Sequence, residues 1–261
     1  MKIGCTVGYK DIEKIKECAK AGFDYVEVAL NGLAACSDEE LGAFVEALRE
    51  NNIPCEAANC LFPGSLKLCD ESFDESAIEE YLEKALARAK AVGVDTVVFG
   101  SGASRKIPEG FSRVKAVSQL ELVCRKYLDP IASKNGITIV IEPLNKGETN
   151  IFNSVEETML FVNKLSLGNV KCLADTYHMD VESEPYSNVR LAASSLRHTH
   201  IANPDGRVFP LACDKNDYKP FMQYLREISY GGRISVEASV PEGMTREQAL
   251  CETLKFLSSI V

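Results

Sequence analysis

The 261-residue sequence lacks several features that particular classes of protein require. No stretch approaches the roughly 20 apolar residues that span a bilayer, and the first residues show no apolar signal region. We therefore expect a cytoplasmic protein without a membrane partner. Positive charge is outnumbered by negative charge: 29 lysines and arginines against 38 acids give a net charge of -9, and the basic residues are scattered along the chain. A protein that binds the nucleic-acid backbone needs a basic face instead, so we expect no nucleic-acid partner.

Metal-binding cysteine motifs are absent as well. The chain has ten cysteines but no C-x-x-C pair, which leaves zinc-ribbon and thioredoxin-like folds without support. Since disulfides are rare in cytosolic proteins, we expect most of these cysteines to be small buried hydrophobic side chains. The chain has no tryptophan and only three histidines, all between residues 178 and 200. Any histidine-dependent site is therefore confined to that part of the chain.

What the sequence does contain is an alternation of strand and helix patterns. Short runs rich in valine and isoleucine are typical of parallel strands buried on both faces. They predict strands over 3–8, 25–29, 54–58, 96–100, 138–142, 170–175, 196–202 and 234–238. Amphipathic spacing, with Asp or Ser before and Gly after several segments, predicts helices over 11–21, 38–51, 74–92, 112–135, 154–165, 217–229 and 245–260. A further short helix is expected near 186–194.

Eight strand–helix units in 261 residues predict the fold class, a single (β/α)8 TIM barrel. The alternative is an open doubly wound sheet, but no glycine-rich phosphate loop follows the first strand. No linker rich in Pro, Gly or Ser divides the chain. We therefore expect one domain over residues 1–261.

Ligand-type side chains stand at the ends of the last four predicted strands. In chain order these are Glu142, Asp175, His200 and Glu237. Each alone is commonly a loop residue or a salt-bridge partner, but barrel closure brings equivalent strand ends to one mouth, where barrel active sites lie. His198 points to the same strand face as His200. We assign the ligand to His200, which is nearer the strand end, and a structural role to His198.

Three carboxylates and one imidazole at one mouth would repel each other without a cation. This set suits a borderline-hard divalent ion such as Mn²⁺, Mg²⁺ or Co²⁺, and Mn²⁺ is the ion that we expect first. The Pro143 ring biases Glu142 toward extended backbone, which keeps its carboxylate over the mouth. Acids held rigidly at one site are what proton-transfer chemistry requires.

The motifs around these residues also carry a family resemblance. They are "IEPLN" at 141–145 with Glu148 shortly after it, "ADTYHM" at 174–179, "HTHIANPDGR" at 198–207 and "SVEAS" at 235–239. The first two strand regions, near the start of the chain, agree with them; they read "MKIGCTVGY" and "AGFDYVEVAL". With these motifs the sequence resembles the xylose-isomerase-like barrel superfamily over essentially its whole length. The closest similarity is to the D-tagatose and D-psicose 3-epimerase group.

The resemblance implies a sugar substrate and a metal-dependent epimerase or isomerase. Glu142 and Glu237 would be the acid/base pair as well as metal ligands. They would move a proton beside the substrate carbonyl through an enediolate. Glu148, His178 and Arg207 match positions that contact substrate hydroxyls. Relatives are often homodimers or homotetramers, and no sequence feature selects an assembly.

Other residues are expected to line the pocket. Glu27 ends the second strand region, and Asn59 and Phe62 follow the third; Glu27 could instead be a buried hydrogen-bonding partner. The loop after the fourth strand has no tryptophan, unlike the ketohexose epimerases that the sequence resembles. It carries Arg105 next to Lys106, which could bind a polar or anionic substrate, or could belong to an ordinary loop.

Three other functions remain open on the same fold. A lyase or dehydratase acting on a keto sugar or an oxidised glycoside would use the same proton abstraction and then expel a leaving group. Endonuclease-IV-like cleavage of DNA needs a trinuclear zinc centre and more histidines than this chain has, and the acidic charge opposes it. A non-catalytic sugar-binding barrel has no support from the apparently complete ligand set.

Overall fold

Eight short parallel strands close into a barrel in the computed structural model, which describes residues 1–261. The strands are β1 (Lys2–Val7), β2 (Tyr25–Ala29), β3 (Cys55–Asn59), β4 (Thr96–Phe99), β5 (Thr138–Ile141), β6 (Val170–Asp175), β7 (Leu196–Ile201) and β8 (Arg233–Val236). Each strand pairs with the next along the chain, and β8 pairs with β1 through registers such as Ile3 opposite Ile234. The predicted (β/α)8 fold class is therefore confirmed.

Helices follow the strands and cover the barrel. They are α1 (Ile12–Ala21), α2 (Leu30–Ala35), α3 (Asp38–Glu50), α4 (Glu75–Ala91), α5 (Gly102–Arg105), α6 (Arg113–Leu122), α7 (Asp129–Asn135), α8 (Val155–Leu165), α9 (Thr176–Val181), α10 (Lys219–Glu227) and α11 (Arg246–Ile260). A π-helical stretch, Val123–Leu128, joins α6 to α7, and a 3₁₀ helix spans Tyr186–Ala192. None of these helices combines the length and the apolar character that crossing a lipid bilayer would demand.

The hydrophobic core lies mainly between the strands and the surrounding helices. One continuous cluster of 68 buried residues fills this layer. Inside the barrel, Val98, Val140 and Leu173 form a separate small cluster. Because each strand packs against helices on one side and other strands' side chains on the other, most strand positions are apolar. Buried polar residues near the carboxyl ends of the strands include Glu27, Asp175, His198 and His200.

Two features of the helices differ from the sequence-based expectation. The single helix predicted over 112–135 is instead two α-helices, α6 and α7, joined by the π-helical stretch Val123–Leu128, which ends shortly before Pro130. Proline has no N–H to bond the carbonyl four residues earlier, so the backbone must relax just ahead of it. In addition, α2, α5 and α9 are helices of four to six residues that were not predicted. Segments this short carry too few apolar positions to show a helical period.

Candidate active site

Four side chains meet where the carboxyl ends of β5 to β8 converge. Glu142 follows β5 directly, Asp175 is the last residue of β6, His200 lies near the end of β7, and Glu237 follows β8 directly. Each offers one ligand atom, and these atoms all lie within 4.8 Å of one another. We refer to these four residues as the acidic cluster. The structure thus brings together the residues that the strand ends predict, and their roles as ligands and catalysts stay proposals.

The imidazole of His200 lies at the centre of the acidic cluster. Its Nδ1 is 3.1 Å from Glu142 Oε1 and 3.4 Å from Glu237 Oε2. The side chains of His200 and Asp175 are almost completely buried, whereas 21% of the Glu237 side chain is exposed. Glu237 therefore forms the part of the cluster that is most open to a molecule approaching the mouth.

Burial and charge act differently on the three acids. Burial raises the pKa of Asp175 to about 7, and the negative charge of Glu142 adds to this effect. Burial also raises the pKa of Glu142, although the nearby His200 opposes it. For Glu237 burial acts in the same direction, but His200 and Arg207 outweigh it and hold the pKa at about 2. The cluster therefore needs positive charge to keep all its acids ionised.

The acidic cluster has the chemistry of a site for one divalent cation. Three carboxylate oxygens and one imidazole nitrogen suit hard to borderline divalent ions better than structural zinc. His200 Nδ1 faces the carboxylates, while its Nε2 lies 2.9 Å from Glu27 Oε1 on the opposite side. A histidine ligand usually donates its second N–H to a carboxylate or carbonyl in this way. The residues present therefore fit a bound cation.

Glu142 is held in place by the end of β4 and by the residue that follows it. Its backbone N–H donates to the carbonyl of Phe99 at 3.2 Å. A Cβ placed on Gly100 would lie 2.2 Å from Glu142 Oε2, so a larger residue there would displace the carboxylate. The sequence "FG" at the end of β4 thus leaves the space that the acid after β5 occupies.

Arg207 connects the acidic cluster to the loop after β5. Its Nη2 lies 2.7 Å from Glu237 Oε2 and 3.9 Å from Asp175 Oδ2, and its Nη1 lies 3.2 Å from Glu148 Oε1. The guanidinium also stacks 4.5 Å from the centre of the Tyr177 ring. These carboxylates raise the pKa of Arg207 against the effect of burial. The arginine is therefore a fixed positive charge at the mouth.

His178 presents one unpaired nitrogen next to the cluster. The backbone N–H and the side-chain amide of Asn145 lie 3.1 and 3.0 Å from His178 Nδ1. The Nε2 atom is buried, has no hydrogen-bond partner, and lies 3.6 Å from Asp175 Oδ2. Burial, with the charge of Arg207, lowers the pKa of His178 to about 3, so the ring is neutral. Asn145 Nδ2 also lies 3.1 Å from Glu148 Oε1.

Asn145 is a residue that the sequence reasoning did not single out. It belongs to the "IEPLN" motif and stands between two acids assigned to the site, which is the signal that could have found it. An asparagine in a loop more commonly makes a turn, and here Asn145 Oδ1 does accept from Gly147 N at 2.9 Å. Its amide therefore serves both the turn and the histidine.

Two of the expected pocket residues lie beside the cluster on the β3 side. Asn59 Nδ2 donates to Glu237 Oε1 at 2.6 Å. Phe62 is only 2% exposed, and its ring packs edge-on against Phe99 at 5.3 Å between centroids. Its backbone N–H donates to Ser101 Oγ at 2.9 Å. Asn59 therefore touches the cluster directly, whereas Phe62 shapes the wall.

Glu27 and Arg105 lie elsewhere than a substrate contact requires. Glu27 is fully buried and bonds His198, His200 and Ser235 beneath the cluster, as the alternative interpretation of this residue states. Arg105 has no exposed surface. Its Nη1 and Nη2 donate to the carbonyls of Phe99 and Glu142 at 2.9 and 2.6 Å. Neither side chain therefore has exposed surface that a substrate at the mouth could contact.

Comparison with known proteins agrees with this geometry. Residues 15–260 match the sequence model of the xylose isomerase-like TIM barrel family. The chain belongs to this family. Among curated proteins, this family member is 26% identical over 245 residues to the D-psicose 3-epimerase of Agrobacterium fabrum, covering 88% of this chain and 80% of that protein. It is 27% identical over 250 residues to the ketose 3-epimerase of Arthrobacter globiformis, covering 91% and 83%.

Solved structures show that the fold is shared from end to end. A crystal structure of a D-psicose 3-epimerase in the presence of D-fructose superimposes with a TM-score of 0.84 at 21% identity, covering 100% of this chain and 99% of that one. A 3-keto-D-glucoside 4-epimerase from E. coli gives the same TM-score and identity, covering 99% of both chains. At this identity the superposition establishes the barrel, and the site has to be argued from this chain's own residues.

Proposed function

We propose that this chain is a divalent-metal-dependent ketose 3-epimerase. The observation that carries the proposal is the placement of Glu142 and Glu237 beside the same nitrogen of His200, with oxygens 3.1 and 3.4 Å from Nδ1. Two acids that share one cation site can lie on opposite faces of a bound sugar carbon. The curated relatives named as D-psicose and ketose 3-epimerases support the same reaction class.

Epimerisation beside a ketone requires two proton transfers on opposite faces of one carbon. One glutamate, as carboxylate, takes the proton from C3, and the electron pair of the C–H bond moves toward the carbonyl oxygen. The other glutamate, as carboxylic acid, returns a proton to the opposite face of C3. General acid–base catalysis of this kind contributes about 10²- to 10⁴-fold in rate. The reaction consumes no co-reactant, since the proton lost is replaced by a proton gained.

A divalent cation at the acidic cluster would be held by Glu142, Asp175, His200 and Glu237. When bound, it supplies positive charge beside the oxygen where negative charge develops. Mn²⁺ is the ion that we propose first, with Mg²⁺ and Co²⁺ as alternatives, because three carboxylates and one histidine form a mixed hard and borderline donor set.

The side chains around the mouth orient the sugar in this proposal. Arg207 and Glu148 form a charged pair that can bind hydroxyl groups as donor and acceptor. His178, kept neutral by burial, offers Nε2 as a further hydrogen-bonding atom. Asn59 holds Glu237 Oε1, which leaves Oε2 facing Arg207 and the cluster. Phe62 forms the apolar part of the wall. We assign Glu27 and Arg105 to the support of this site instead of to the substrate.

A turnover assay with paired variants tests the proposal. The Mn²⁺-loaded protein is incubated with free ketohexoses and ketopentoses, their phosphates and 3-keto glycosides, and the products are identified by NMR after the metal is removed. We expect the C3 epimer of at least one ketose. Glu142→Gln and Glu237→Gln should each lower the rate by about 10²- to 10⁴-fold.

A matched control for these variants is Glu56→Gln at the opposite end of the barrel. Glu56 pairs there with Lys2 and Arg233 at 2.5 and 2.7 Å, and in β3 it stands three residues before Asn59, which contacts the cluster. It should leave turnover within about twofold of the wild type. Full activity in both cluster variants would rule the proposal out. A product that has lost water or an aglycone would instead establish the lyase alternative.

A further inference from the structure

A second layer of polar side chains lies beneath the acidic cluster, inside the barrel. At its centre is Glu27 on β2, which has no exposed surface. One carboxylate oxygen, Oε1, lies 2.9 Å from His200 Nε2. The other, Oε2, lies 2.8 Å from His198 Nε2 and 2.5 Å from Ser235 Oγ. Every close partner of this carboxylate is therefore a side chain from β7 or β8.

The contact with His200 decides which of its nitrogens faces the acidic cluster. An imidazole that ligates a cation must present a nitrogen lone pair, and its other nitrogen then carries the hydrogen. Nδ1 faces Glu142 and Glu237, whereas Nε2 faces Glu27. A carboxylate accepts hydrogen bonds and donates none when ionised. Glu27 therefore favours the hydrogen on Nε2 and leaves the lone pair on Nδ1.

The position of Glu27 is costly if it serves stability alone. A carboxylate buried inside a barrel loses its hydration, and replacing buried polar networks with packed apolar residues is often neutral or stabilising. No lysine or arginine forms an ion pair with Glu27; its partners are two histidines and one serine. Ser235 is itself fixed by the Tyr25 hydroxyl at 2.7 Å. The network thus consists of four polar side chains, Glu27, His198, Ser235 and Tyr25, and it contacts the acidic cluster through the imidazole of His200.

We propose that Glu27 is a positioning residue of the metal centre, which holds the His200 ring in the orientation and tautomer that leave Nδ1 free for the cation. It acts through His200 and touches no substrate. The inference rests on the proposed function only in that a divalent cation occupies the acidic cluster. It also accounts for the fully buried His198, whose Nε2 contacts the second oxygen of the Glu27 carboxylate.

Metal affinity without any sugar tests this role. The metal-free protein is titrated with Mn²⁺ by calorimetry. Glutamine at position 27 keeps the volume of the side chain, but its single oxygen can accept from only one of the two imidazoles, and its amide hydrogens face the other. We expect Glu27→Gln to weaken Mn²⁺ binding by about 10- to 100-fold. The matched variant Glu56→Gln should stay within about twofold of the wild type.

The tautomer itself is measured on the wild-type protein, so that the proposal can be tested even if Glu27→Gln does not fold. With only three histidines in the chain, long-range ¹⁵N–¹H NMR of the Mg²⁺-loaded protein resolves each ring, and His178→Gln and His198→Gln help to assign the signals. We expect the hydrogen of His200 on Nε2. A hydrogen on Nδ1, or equal Mn²⁺ affinity in Glu27→Gln and the wild type, would overturn the proposal.

These outcomes are separate from the fate of the proposed function. If the wild type binds Mn²⁺ tightly and Glu27→Gln weakly, but no sugar is epimerised, the positioning role stands and the epimerase proposal fails. If ketoses are epimerised and Glu27→Gln binds Mn²⁺ as the wild type does, the reverse holds.

Discussion

Arg207 Nη2 lies 2.7 Å from Glu237 Oε2, closer than His200 Nδ1 at 3.4 Å to the same oxygen. The loop after β7 therefore places a guanidinium against one of the two glutamates. The Glu142 carboxylate has no arginine partner and contacts the His200 imidazole instead. The two acids are consequently unequal: His200 and Arg207 outweigh burial and hold the pKa of Glu237 at about 2, whereas burial raises that of Glu142. This asymmetry predicts distinct consequences for changes at position 207.

Arg207→Met should separate metal binding from turnover. Removing a positive charge that lies 2.7 Å from Glu237 and 3.9 Å from Asp175 lowers the repulsion that an arriving cation meets. We expect Mn²⁺ affinity, measured by calorimetry, to be unchanged or higher. We expect kcat/KM to fall about 100-fold, or about 2.7 kcal/mol, because the substrate loses a hydrogen-bonding cation. Arg190→Met, which removes an exposed ion pair with Glu227, is the control. A loss of Mn²⁺ affinity in Arg207→Met would contradict this interpretation.

Metal removal should cost both stability and activity. A cation that binds only the folded chain stabilises it by about 2.7 kcal/mol when its concentration is 100 times Kd. We therefore expect the melting temperature after treatment with EDTA to rise when Mn²⁺ is added back, together with the return of turnover. The double variant Glu142→Gln/Glu237→Gln removes two of the three carboxylates of the acidic cluster. It should show little or no rise, and an equal rise there would place the stabilising ion elsewhere.

Arg105→Met distinguishes support from substrate binding. Arg105 donates to the backbone carbonyls of Phe99 and Glu142. The Phe99 carbonyl also accepts from the backbone N–H of Glu142. The Glu142 carbonyl is therefore the acceptor that the variant leaves unpaired. Leaving a buried acceptor unpaired costs about 1–3 kcal/mol. We expect the free energy of unfolding in urea to fall by about 2 kcal/mol and kcat to fall more than KM rises. Unchanged stability with a raised KM would instead support the original expectation that Arg105 contacts the substrate.

The end of the barrel opposite the site should show a pH-dependent contribution to stability. Arg233 donates to both carboxylate oxygens of Asp95 at 2.6 Å. Burial would raise the pKa of Asp95, but the hydrogen bonds from Arg233 and Thr96 outweigh it and lower the pKa below its ordinary value. A carboxyl whose pKa is lower in the folded state stabilises the fold above its unfolded pKa, and this contribution is lost as pH falls through the folded pKa.

Asp95→Asn is the variant that measures this contribution. Since 53% of the Asp95 side chain is exposed, we expect a loss of only about 1 kcal/mol in the free energy of unfolding at pH 7. The difference between the variant and the wild type should shrink as pH falls below the ordinary pKa of an aspartate. Urea unfolding across pH measures it, and a difference that stayed constant down to the lowest pH would show that the charge of Asp95 is not involved.

The barrel and the acidic cluster were predictable because each depends on a local pattern and one general rule. Apolar runs give the strands, and parallel closure places every strand end at the same mouth. Glu142 and Glu237 could thus be assigned without knowledge of any loop. The resemblance of the surrounding motifs to the xylose-isomerase-like barrels is confirmed by the family match over residues 15–260.

The roles of Glu27 and Arg105 could not be deduced in the same way. The depth of Glu27 in the barrel is set by strand register, which pairs it with Thr6 on β1 and Ala57 on β3, and a sequence does not state register. Arg105 belongs to a one-turn helix that folds back into the interior. An arginine between glycines and serines looks like a solvated loop residue until tertiary contacts are known.

Solvent exchange at C3 tests the two-glutamate chemistry most directly. The Mn²⁺-loaded protein is incubated in D₂O with the ketose that it converts, or with the full ketose panel if conversion is slow, and NMR follows deuterium at each carbon after the metal is removed. We predict deuterium at C3, with exchange lowered about 10²- to 10⁴-fold in Glu142→Gln and in Glu237→Gln. Epimer formation with no deuterium at C3, or no exchange into any ketose, would contradict proton transfer by these two residues.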